Sequence, residues 1–309
     1  MKLETLSRMV KLGRLRFPLN GLLLFSFGAL LAAHSGAKFV AERFIVGASI
    51  LFTANLSVSY SNDYYDVEVD RHGEPTTFAG GSGVLVRHPE LRALSKWFAI
   101  LLILLSISLA FAFTLVFSFP PSFPAFVAVG NLLGWYYTAP PLRLSYRGLS
   151  EAVTTIVLGL IVPGTGYYVL KGFLDWTFAV FSPPLILYGL VFIMGVEIPD
   201  MESDRLGDKN TVIARRGRGF GFKAVGVLLS LATTYFLAGR AVNLAPPPID
   251  LGVFAALSLL PLAVGVEGLM RRPEEWEAAT RLVTRIIYSL SIFLTIGVSY
   301  LIFTLNRLS

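Results

Sequence analysis

Long apolar runs, separated by short charged, Pro-rich or Gly-rich segments, account for most of the chain. A helix needs roughly 20 apolar residues to cross the hydrocarbon core of a bilayer. Backbone polar groups at that depth must bond within the protein, which helices achieve. The pattern therefore predicts an all-α polytopic membrane protein with nine transmembrane helices in a bundle. The nine runs cover about residues 17–34, 40–61, 95–117, 122–138, 151–170, 177–196, 220–238, 250–269 and 282–304.

Composition supports this class of protein. The 309 residues are 54% hydrophobic and 15% charged, against about 25% charged residues in soluble domains. The chain has no cysteine and three scattered histidines, which excludes disulfides, cysteine nucleophiles and the usual zinc spacings. A net charge of +6 would suit nucleic acid, but the basic residues are distributed as membrane topology requires, so no nucleic-acid partner is expected.

The distribution of Lys and Arg sets the expected orientation. With the N-terminus in the cytoplasm, 21 of the 26 basic residues fall in the leader and in loops on the cytoplasmic side. This bias satisfies the positive-inside rule and predicts a multi-pass protein of the cell membrane. Residues 1–16 are too charged and too long for a signal peptide. Their apolar Leu3, Met9, Val10 and Leu12 predict an amphipathic helix at the membrane surface.

Two similar acidic segments follow the second and sixth runs. Residues 66–77 read DVEVDRHGEPTT and residues 200–211 read DMESDRLGDKNT, with six identities at an offset of 134. The matched pair predicts an internal duplication. The expected architecture is a single domain, 1–309, of two parallel four-helix repeats, about 17–138 and 151–269, plus an extra helix at 282–304. Because four crossings are an even number, both acidic segments face the cytoplasm.

Carboxylates recur every fourth residue in both segments, so on a continuing helix they share one face. Pro199 predicts a kink or a helix start in the second segment. Oxygen ligands without His or Cys select hard ions, and Mg²⁺ binds one or two carboxylates together with phosphate oxygens. The pattern predicts a diphosphate held through Mg²⁺ between two acidic walls; helix-capping charges or the cation site of a transporter are the alternatives. The expected ligands are Asn62, Asp66, Asp70, Asp200 and Asp204, with Asp63 and Glu197 in support.

Three stretches resemble the UbiA superfamily of intramembrane prenyltransferases. NDYYDVEVD at 62–70 resembles its N-D-x-x-D-x-x-x-D motif, DMESD at 200–204 its second motif, and YYTAPPLRLSYRGLSE at 136–151 its segment between the fourth and fifth helices. The resemblance implies that a polyprenyl diphosphate, such as geranylgeranyl diphosphate, ionises with the help of two Mg²⁺ ions. The prenyl group then passes to a lipophilic or aromatic acceptor. The residues that match the two motifs as catalytic carboxylates are Asp66, Asp70, Asp200 and Asp204.

Other side chains near these motifs are candidates for binding the reacting groups. Tyr137, with Tyr136 and Tyr60, would shield the allylic cation through cation–π contacts, although anchoring at the membrane interface explains tyrosines equally well. The Gly-rich stretches AGGSG at 79–83 and RRGRGFGF at 215–222 are candidate lids or flexible linkers. The candidate diphosphate ligands are Asn62, Arg16, Asn20, Arg71, Arg143, Arg205 and Lys209.

The loop after the first motif bears on the acceptor. Some branches of the family continue that motif into R-P-I/L-P, whereas this chain reads EPTTFAGGSGVLVR at 74–87. The difference disfavours the chlorophyll, haem and 4-hydroxybenzoate branches and is similar to the menaquinone-pathway branch that prenylates dihydroxynaphthoate. An aromatic quinone precursor is therefore the expected acceptor, and geranylgeranylglyceryl phosphate of ether-lipid synthesis is the alternative.

Overall fold

The computed structural model describes residues 3–307, and its regular structure in that range is helical, without strands. Eight helical segments of this range are long and apolar enough to cross a membrane. The run at 122–138 forms a helix of 17 residues. The all-α membrane fold is thus confirmed, while the count of nine crossings stays a prediction. The helices are α1 (Leu3–Leu12), α2 (Arg16–His34), α3 (Ala41–Asp70), α4 (Val84–Arg87), α5 (Arg92–Phe117), α6 (Ser122–Thr138), α7 (Ser150–Ile156), α8 (Val162–Lys171), α9 (Trp176–Leu206), α10 (Val212–Arg216), α11 (Arg218–Ala241), α12 (Leu251–Arg271) and α13 (Trp276–Leu305).

Most carboxylates of the two acidic segments lie on the last turns of long helices; Glu74 and Asp208 follow in the loops. α3 has 30 residues and α9 has 31, so both continue well beyond the predicted apolar runs. α9 also continues through Pro199, and the expected helix start at that residue is wrong. Side chains from neighbouring helices anchor this part of α9: Trp276 Nε1 donates to Pro199 O (3.1 Å) and Arg218 Nε donates to Ile198 O (3.2 Å).

Two glycines let the ends of α3 and α9 approach each other closely. A Cβ atom on Gly207 would lie 2.5 Å from Val69 Cγ2, and one on Gly73 would lie 3.2 Å from Ser203. The offset of 134 that relates the acidic segments also relates Gly73 to Gly207 and Val69 to Ser203. The two contacts therefore join positions that are equivalent under the predicted repeat, and they bring the acidic segments face to face.

We expect Gly207→Ala to destabilise the protein more than Gly73→Ala. The added methyl at position 207 would meet the branched side chain of Val69, which has little rotamer freedom in a helix. Overpacking of this kind costs about 1–3 kcal/mol. The measurement is thermal unfolding of both variants in detergent, and equal melting temperatures would contradict the tight contact at Val69.

The first helices of the two predicted repeats meet backbone to backbone. α7 and α8 are joined by a π-helical segment at Val157–Ile161, so the fifth predicted span is continuous. A Cβ atom on Gly28 of α2 would lie 1.8 Å from Pro163 O, and one on Gly166 of α8 would lie 1.9 Å from Phe25 O. Small residues at such crossings are typical of membrane helices. This contact packs α2 directly against α8.

The predicted amphipathic leader helix is present as α1, and two of its five apolar side chains pack on the protein. Met9 and Leu12 are buried, whereas Leu3 and Val10 are exposed. The hydroxyl of Tyr60 donates to the carbonyl oxygen of Met9 at 2.8 Å. α1 is thereby attached to α3, and its exposed apolar face is free to contact lipid.

Candidate active site

A cavity of about 360 Å³ lies between the ends of α3 and α9. Apolar side chains such as Leu185, Phe192 and Phe293 line its deeper part, and carboxylates line its mouth. Among the described residues that line it, six are Asp or Glu and two, Arg14 and Lys209, are basic. This excess of negative charge favours cation binding. The predicted site residues that line the cavity are Asn20, Asn62, Asp63, Asp66, Asp70, Tyr137, Glu197, Asp200, Asp204 and Lys209.

Asp66 lies at the centre of a hydrogen-bond network on the α3 wall. Its Oδ1 accepts from the Tyr146 hydroxyl and its Oδ2 accepts from Lys209 Nζ, both at 2.7 Å. Burial, followed by the charge of Asp66, raises the pKa of the Tyr146 phenol, which therefore stays a donor. The Arg143 guanidinium stacks on the Tyr146 ring, 3.7 Å from its centroid. These contacts fix the carboxylate in the mouth of the cavity.

Lys209 links the two acidic walls. Its Nζ is 2.7 Å from Asp66 Oδ2 on α3 and 4.0 Å from Asp204 Oδ1 on α9. Burial opposes the charged form of this lysine, but the carboxylates of Asp66 and Asp204 outweigh that effect and raise its pKa well above the ordinary value. Lys209 is therefore an ammonium ion, and it offsets part of the repulsion between the walls.

The loop at residues 71–83, termed the first loop, bonds to both walls through Gly80 and Ser82. The Gly80 N–H donates to Asp200 Oδ2 at 3.1 Å. The Ser82 N–H donates to Asp63 Oδ2 at 3.1 Å, and the Ser82 hydroxyl donates to the same oxygen. The loop at residues 207–211, the second loop, carries Lys209. Each loop therefore reaches across the mouth to the wall that belongs to the other repeat.

Gly81 in the first loop is a position that only glycine fits. Its φ is +62°, and a Cβ atom there would lie 2.2 Å from Asp70 Oδ2. The backbone conformation is one that L side chains rarely adopt. The absence of a side chain lets the loop lie directly against the Asp70 carboxylate.

We expect Gly81→Ala to lower activity at least tenfold because the added methyl would push Asp70 or the first loop out of place. Gly36→Ala is the matched control: Gly36 has a φ of +89° and nothing within 4 Å of its built Cβ. Both variants carry left-handed strain of about 1 kcal/mol or more, and only Gly81→Ala adds the clash. Equal activities of the two variants, measured at matched folded fractions, would contradict this role of the loop.

Arg14 lies in the mouth of the cavity, in the turn between α1 and α2. Its Nη2 donates to Phe78 O of the first loop at 3.4 Å, while its buried Nε has no hydrogen-bond partner among the described residues. It interacts electrostatically with Asp63 and Asp200. Arg14 thus retains a donor for an anion that enters the mouth.

Comparison with known proteins identifies the family. The model of the UbiA prenyltransferase family matches residues 22–304. The chain belongs to the UbiA prenyltransferase family. A probable chloroplastic homogentisate phytyltransferase 2 from Oryza sativa subsp. japonica is 26% identical over 193 residues, 60% of this chain and 48% of the relative. A 2-carboxy-1,4-naphthoquinone phytyltransferase from Synechocystis is 25% identical over 116 residues, 38% of this chain and 37% of the relative. Each match covers less than half of the relative's length.

Solved structures of the UbiA family share the fold. A UbiA homologue from Archaeoglobus fulgidus bound to GPP and Mg²⁺ matches with a TM-score of 0.67 and 14% identity, covering 94% of this chain and 98% of that one. The apo UbiA homologue from Aeropyrum pernix K1 matches with a TM-score of 0.65 and 17% identity, covering 91% of this chain and 97% of that one. A digeranylgeranylglyceryl phosphate synthase structure matches with a TM-score of 0.64 and 14% identity, covering 96% of this chain and 98% of that one. At these identities the likeness concerns the helical bundle alone.

The residues of this UbiA-family site fit Mg²⁺ that is shared with a phosphate group. Within residues 3–307, no three Asp, Glu or His side chains converge to form a complete metal site by themselves. Mg²⁺ typically takes one or two carboxylates and completes its coordination with water and phosphate oxygens, so two facing walls suit it. Asn62 Oδ1 accepts from Thr138 Oγ1 at 3.1 Å, which orients the amide. The side chains that would hold the ions are Asn62, Asp66, Asp70, Asp200 and Asp204.

Four of the predicted diphosphate ligands lie outside the cavity lining, so their expected direct contact is not supported. Arg71 is exposed and pairs with Glu68 at 2.8 Å. Arg205 Nε donates to Ala214 O at 2.6 Å and holds the segment after the second loop. Arg16, the first residue of α2, is exposed, and Arg14 lines the mouth instead. The fourth, Arg143, reaches Asp66 only through the Tyr146 ring.

Sequence reasoning missed three contributors to the site. Arg14 was counted only as a basic residue of the leader, although it lies two positions before Arg16. Tyr146 lies inside the stretch that carries the family resemblance, where its hydroxyl was available as a donor. Ser82 lies inside AGGSG, for which the sequence predicts a lid or a flexible linker and no bond to Asp63. The signals were present, but the contacts of Arg14 and Tyr146 join residues at least 64 positions apart.

Proposed function

We propose that the chain transfers a polyprenyl group from a polyprenyl diphosphate to an acceptor, with Mg²⁺ held between the two acidic walls. The observation that carries this proposal is the junction of the walls with an apolar cavity. A diphosphate bound through Mg²⁺ at the mouth would place its prenyl chain among Leu185, Phe192 and Phe293. The family and the phytyltransferase relatives support the same reaction type.

The side chains at the mouth contribute in different ways to cleavage of the carbon–oxygen bond of the prenyl diphosphate. When bound, Mg²⁺ supplies positive charge against the departing diphosphate. Lys209 and Arg14 are the described cations in the lining, and they stabilise the same charge directly. Tyr137 also lines the cavity, where its ring would stabilise the allylic cation. The apolar part of the cavity excludes water, which would otherwise capture that cation.

The acceptor that the relatives favour is an aromatic quinone precursor. The two curated relatives are named as phytyltransferases of homogentisate and of a carboxynaphthoquinone, which agrees with the dihydroxynaphthoate branch inferred from EPTTFAGGSGVLVR. Geranylgeranylglyceryl phosphate is the alternative. The acidic mouth faces the cytoplasm in this proposal, because the basic residues concentrate on that side. A cation transporter is disfavoured, since its site would lie near the bilayer midplane between inverted repeats.

The test is an assay of the purified full chain in lipid nanodiscs with geranylgeranyl diphosphate and Mg²⁺. The acceptors are 1,4-dihydroxy-2-naphthoate, homogentisate and geranylgeranylglyceryl phosphate, each assayed separately. We expect diphosphate release coupled to a prenylated product with one of the two aromatic acceptors, abolished by EDTA and restored by Mg²⁺. Product with the glyceryl phosphate alone would identify the alternative acceptor. Absence of release with all three would contradict prenyl transfer.

A further inference from the structure

A pair of buried carboxyl groups, Glu197 on α9 and Glu151 on α7, lies beside the metal-binding carboxylates. The two residues are 4% and 7% exposed. Glu197 Oε1 accepts from the Ser150 hydroxyl at 2.7 Å. Its other oxygen, Oε2, is buried and receives no hydrogen bond from any described amide, hydroxyl or amine. An unsatisfied carboxylate oxygen at such depth is costly, so its retention calls for a function.

Glu151 directly follows Ser150 on α7, the residue whose hydroxyl donates to Glu197, and the charges of the two carboxyl groups interact. Two buried carboxylates placed in this way repel each other, and a proton bound by either one relieves that repulsion. Glu151 also accepts from the Val212 N–H, so a backbone donor holds it in place. The pair is therefore suited to accept a proton inside an apolar site.

The repeat provides an internal comparison for this pair. Asp63 occupies the position equivalent to Glu197, at the offset of 134. Asp63 Oδ2 is bonded by both the N–H and the hydroxyl of Ser82, so Asp63 anchors the first loop. Glu197 has a longer side chain and no such loop contact. The equivalent position thus anchors a loop in the first repeat, whereas in the second repeat its carboxylate has no loop contact and can interact with a substrate.

The location of Glu197 suits a role in the transfer step. It lies three residues before Asp200 on α9, which places it about 4.5 Å deeper along the helix axis. It lines the cavity together with Tyr137. The first carbon of a prenyl diphosphate held at the mouth would lie at the same depth, as would the acceptor that attacks it.

We propose that the Glu197–Glu151 pair accepts the hydroxyl proton of the acceptor during prenyl transfer. This inference rests on the proposed function. The bond between the prenyl carbon and the diphosphate oxygen breaks, and its electron pair leaves with the diphosphate. A bond forms from an acceptor ring carbon, or from the oxygen of an alcohol acceptor, to the prenyl carbon. The O–H proton of the acceptor passes to the carboxyl pair, and the diphosphate leaves with the electron pair of the broken bond. With an aromatic acceptor the ring is then a ketone, and it becomes aromatic again when the hydrogen on the attacked carbon leaves and the oxygen takes up a proton.

Glu197→Gln tests the step because glutamine keeps the shape and an oxygen for Ser150 but is not a base. General-base catalysis typically contributes 10²–10⁴-fold, so transfer to 1,4-dihydroxy-2-naphthoate should fall at least 100-fold. Ionisation of the donor should persist. Ionisation is measured in the absence of an acceptor, by following how an ¹⁸O label moves from the bridging to the non-bridging positions of geranylgeranyl diphosphate.

Acceptor acidity gives a second readout that a purely structural role would not change. Ring-fluorinated dihydroxynaphthoates have more acidic hydroxyls and need less help from a base. The Glu197→Gln variant should therefore regain rate along the fluorinated series more steeply than the wild-type protein. Ser150→Ala is the matched control: it removes the hydrogen bond to Glu197 but keeps both carboxyls, so its slope along the series should equal that of the wild type.

Each outcome bears on one of the two proposals. Transfer by Glu197→Gln within threefold of the wild type would overturn the role of the pair. So would a parallel loss of transfer and ¹⁸O scrambling, because that pattern means that the diphosphate site itself was disturbed. Wild-type protein that neither scrambles the label nor releases diphosphate would contradict the proposed function instead, and the two failures are therefore distinguishable.

Discussion

Asp66→Asn should lower the rate of prenyl transfer about 10³-fold when it is compared with the wild type at matched folded fractions, since the variant also removes one partner of the buried pair with Lys209. Asparagine keeps the shape of the side chain but removes its charge, and its amide nitrogen cannot accept from Tyr146 or Lys209, both 2.7 Å from the native carboxylate. Loss of one group that stabilises developing charge commonly costs 10²–10³-fold, and loss of a metal ligand adds to that. Initial rates of product formation at saturating Mg²⁺ would measure the effect.

Glu68→Gln is the control for this experiment. Glu68 lies on the same helix, two residues further on, and its side chain is 64% exposed in a surface ion pair with Arg71. Such pairs contribute about 0–1 kcal/mol, so this variant should transfer at the wild-type rate. An Asp66→Asn rate within tenfold of the wild type would show that the α3 wall does not bind the metal.

Lys209→Met should destabilise the protein by about 3–5 kcal/mol in the absence of Mg²⁺, because removing one partner of a buried ion pair leaves an uncompensated charge. Asp66 and Asp204 would then face each other without the ammonium between them. Added Mg²⁺ should restore part of that loss, so the rise in melting temperature on adding Mg²⁺ should be larger for the variant than for the wild type. Thermal unfolding in detergent with EDTA or with Mg²⁺ would measure both quantities.

Lys223→Met serves as the control for Lys209→Met because Lys223 is an exposed lysine on α11. It changes the net charge equally but leaves the cavity intact. We expect its melting temperature and its response to Mg²⁺ to match the wild type. If Lys209→Met behaves like this control, the second loop does not neutralise the acidic walls.

Much of the fold could be predicted from the sequence because apolar run length is a strong local signal. The repeated segments also indicated which carboxylates share a cavity: Asp66, Asp70, Asp200 and Asp204 all line it. The helix ends were less predictable. Charged residues stopped the apolar runs at about 61 and 196, whereas the helices continue to Asp70 and Leu206, because helical hydrogen bonds do not require apolar side chains.

The direction of individual basic side chains could not be predicted. Arg71 and Arg205 are identical in the two acidic segments, yet both point away from the cavity, to Glu68 and to Ala214 O respectively. Lys209, which has no basic counterpart in the first segment, reaches into the site. Sequence identity within the repeat indicated carboxylates that line the cavity, but the cations depend on which loop crosses the mouth, and that is a property of the folded bundle.

The reciprocal contacts at the mouth have a consequence for the symmetry of the molecule. Gly73 contacts Ser203, and the equivalent positions Gly207 and Val69 contact each other in turn. Across a two-fold dimer interface, residue i of one subunit contacts residue j of the other and j contacts i. The same reciprocity occurs here within one chain. Lys209 and Gly80 likewise bond the acidic wall of the opposite half. A single four-helix half would therefore lack the donor that Asp66 or Asp200 receives from the opposite half, and it would regain that donor only by pairing with a second half about the same axis.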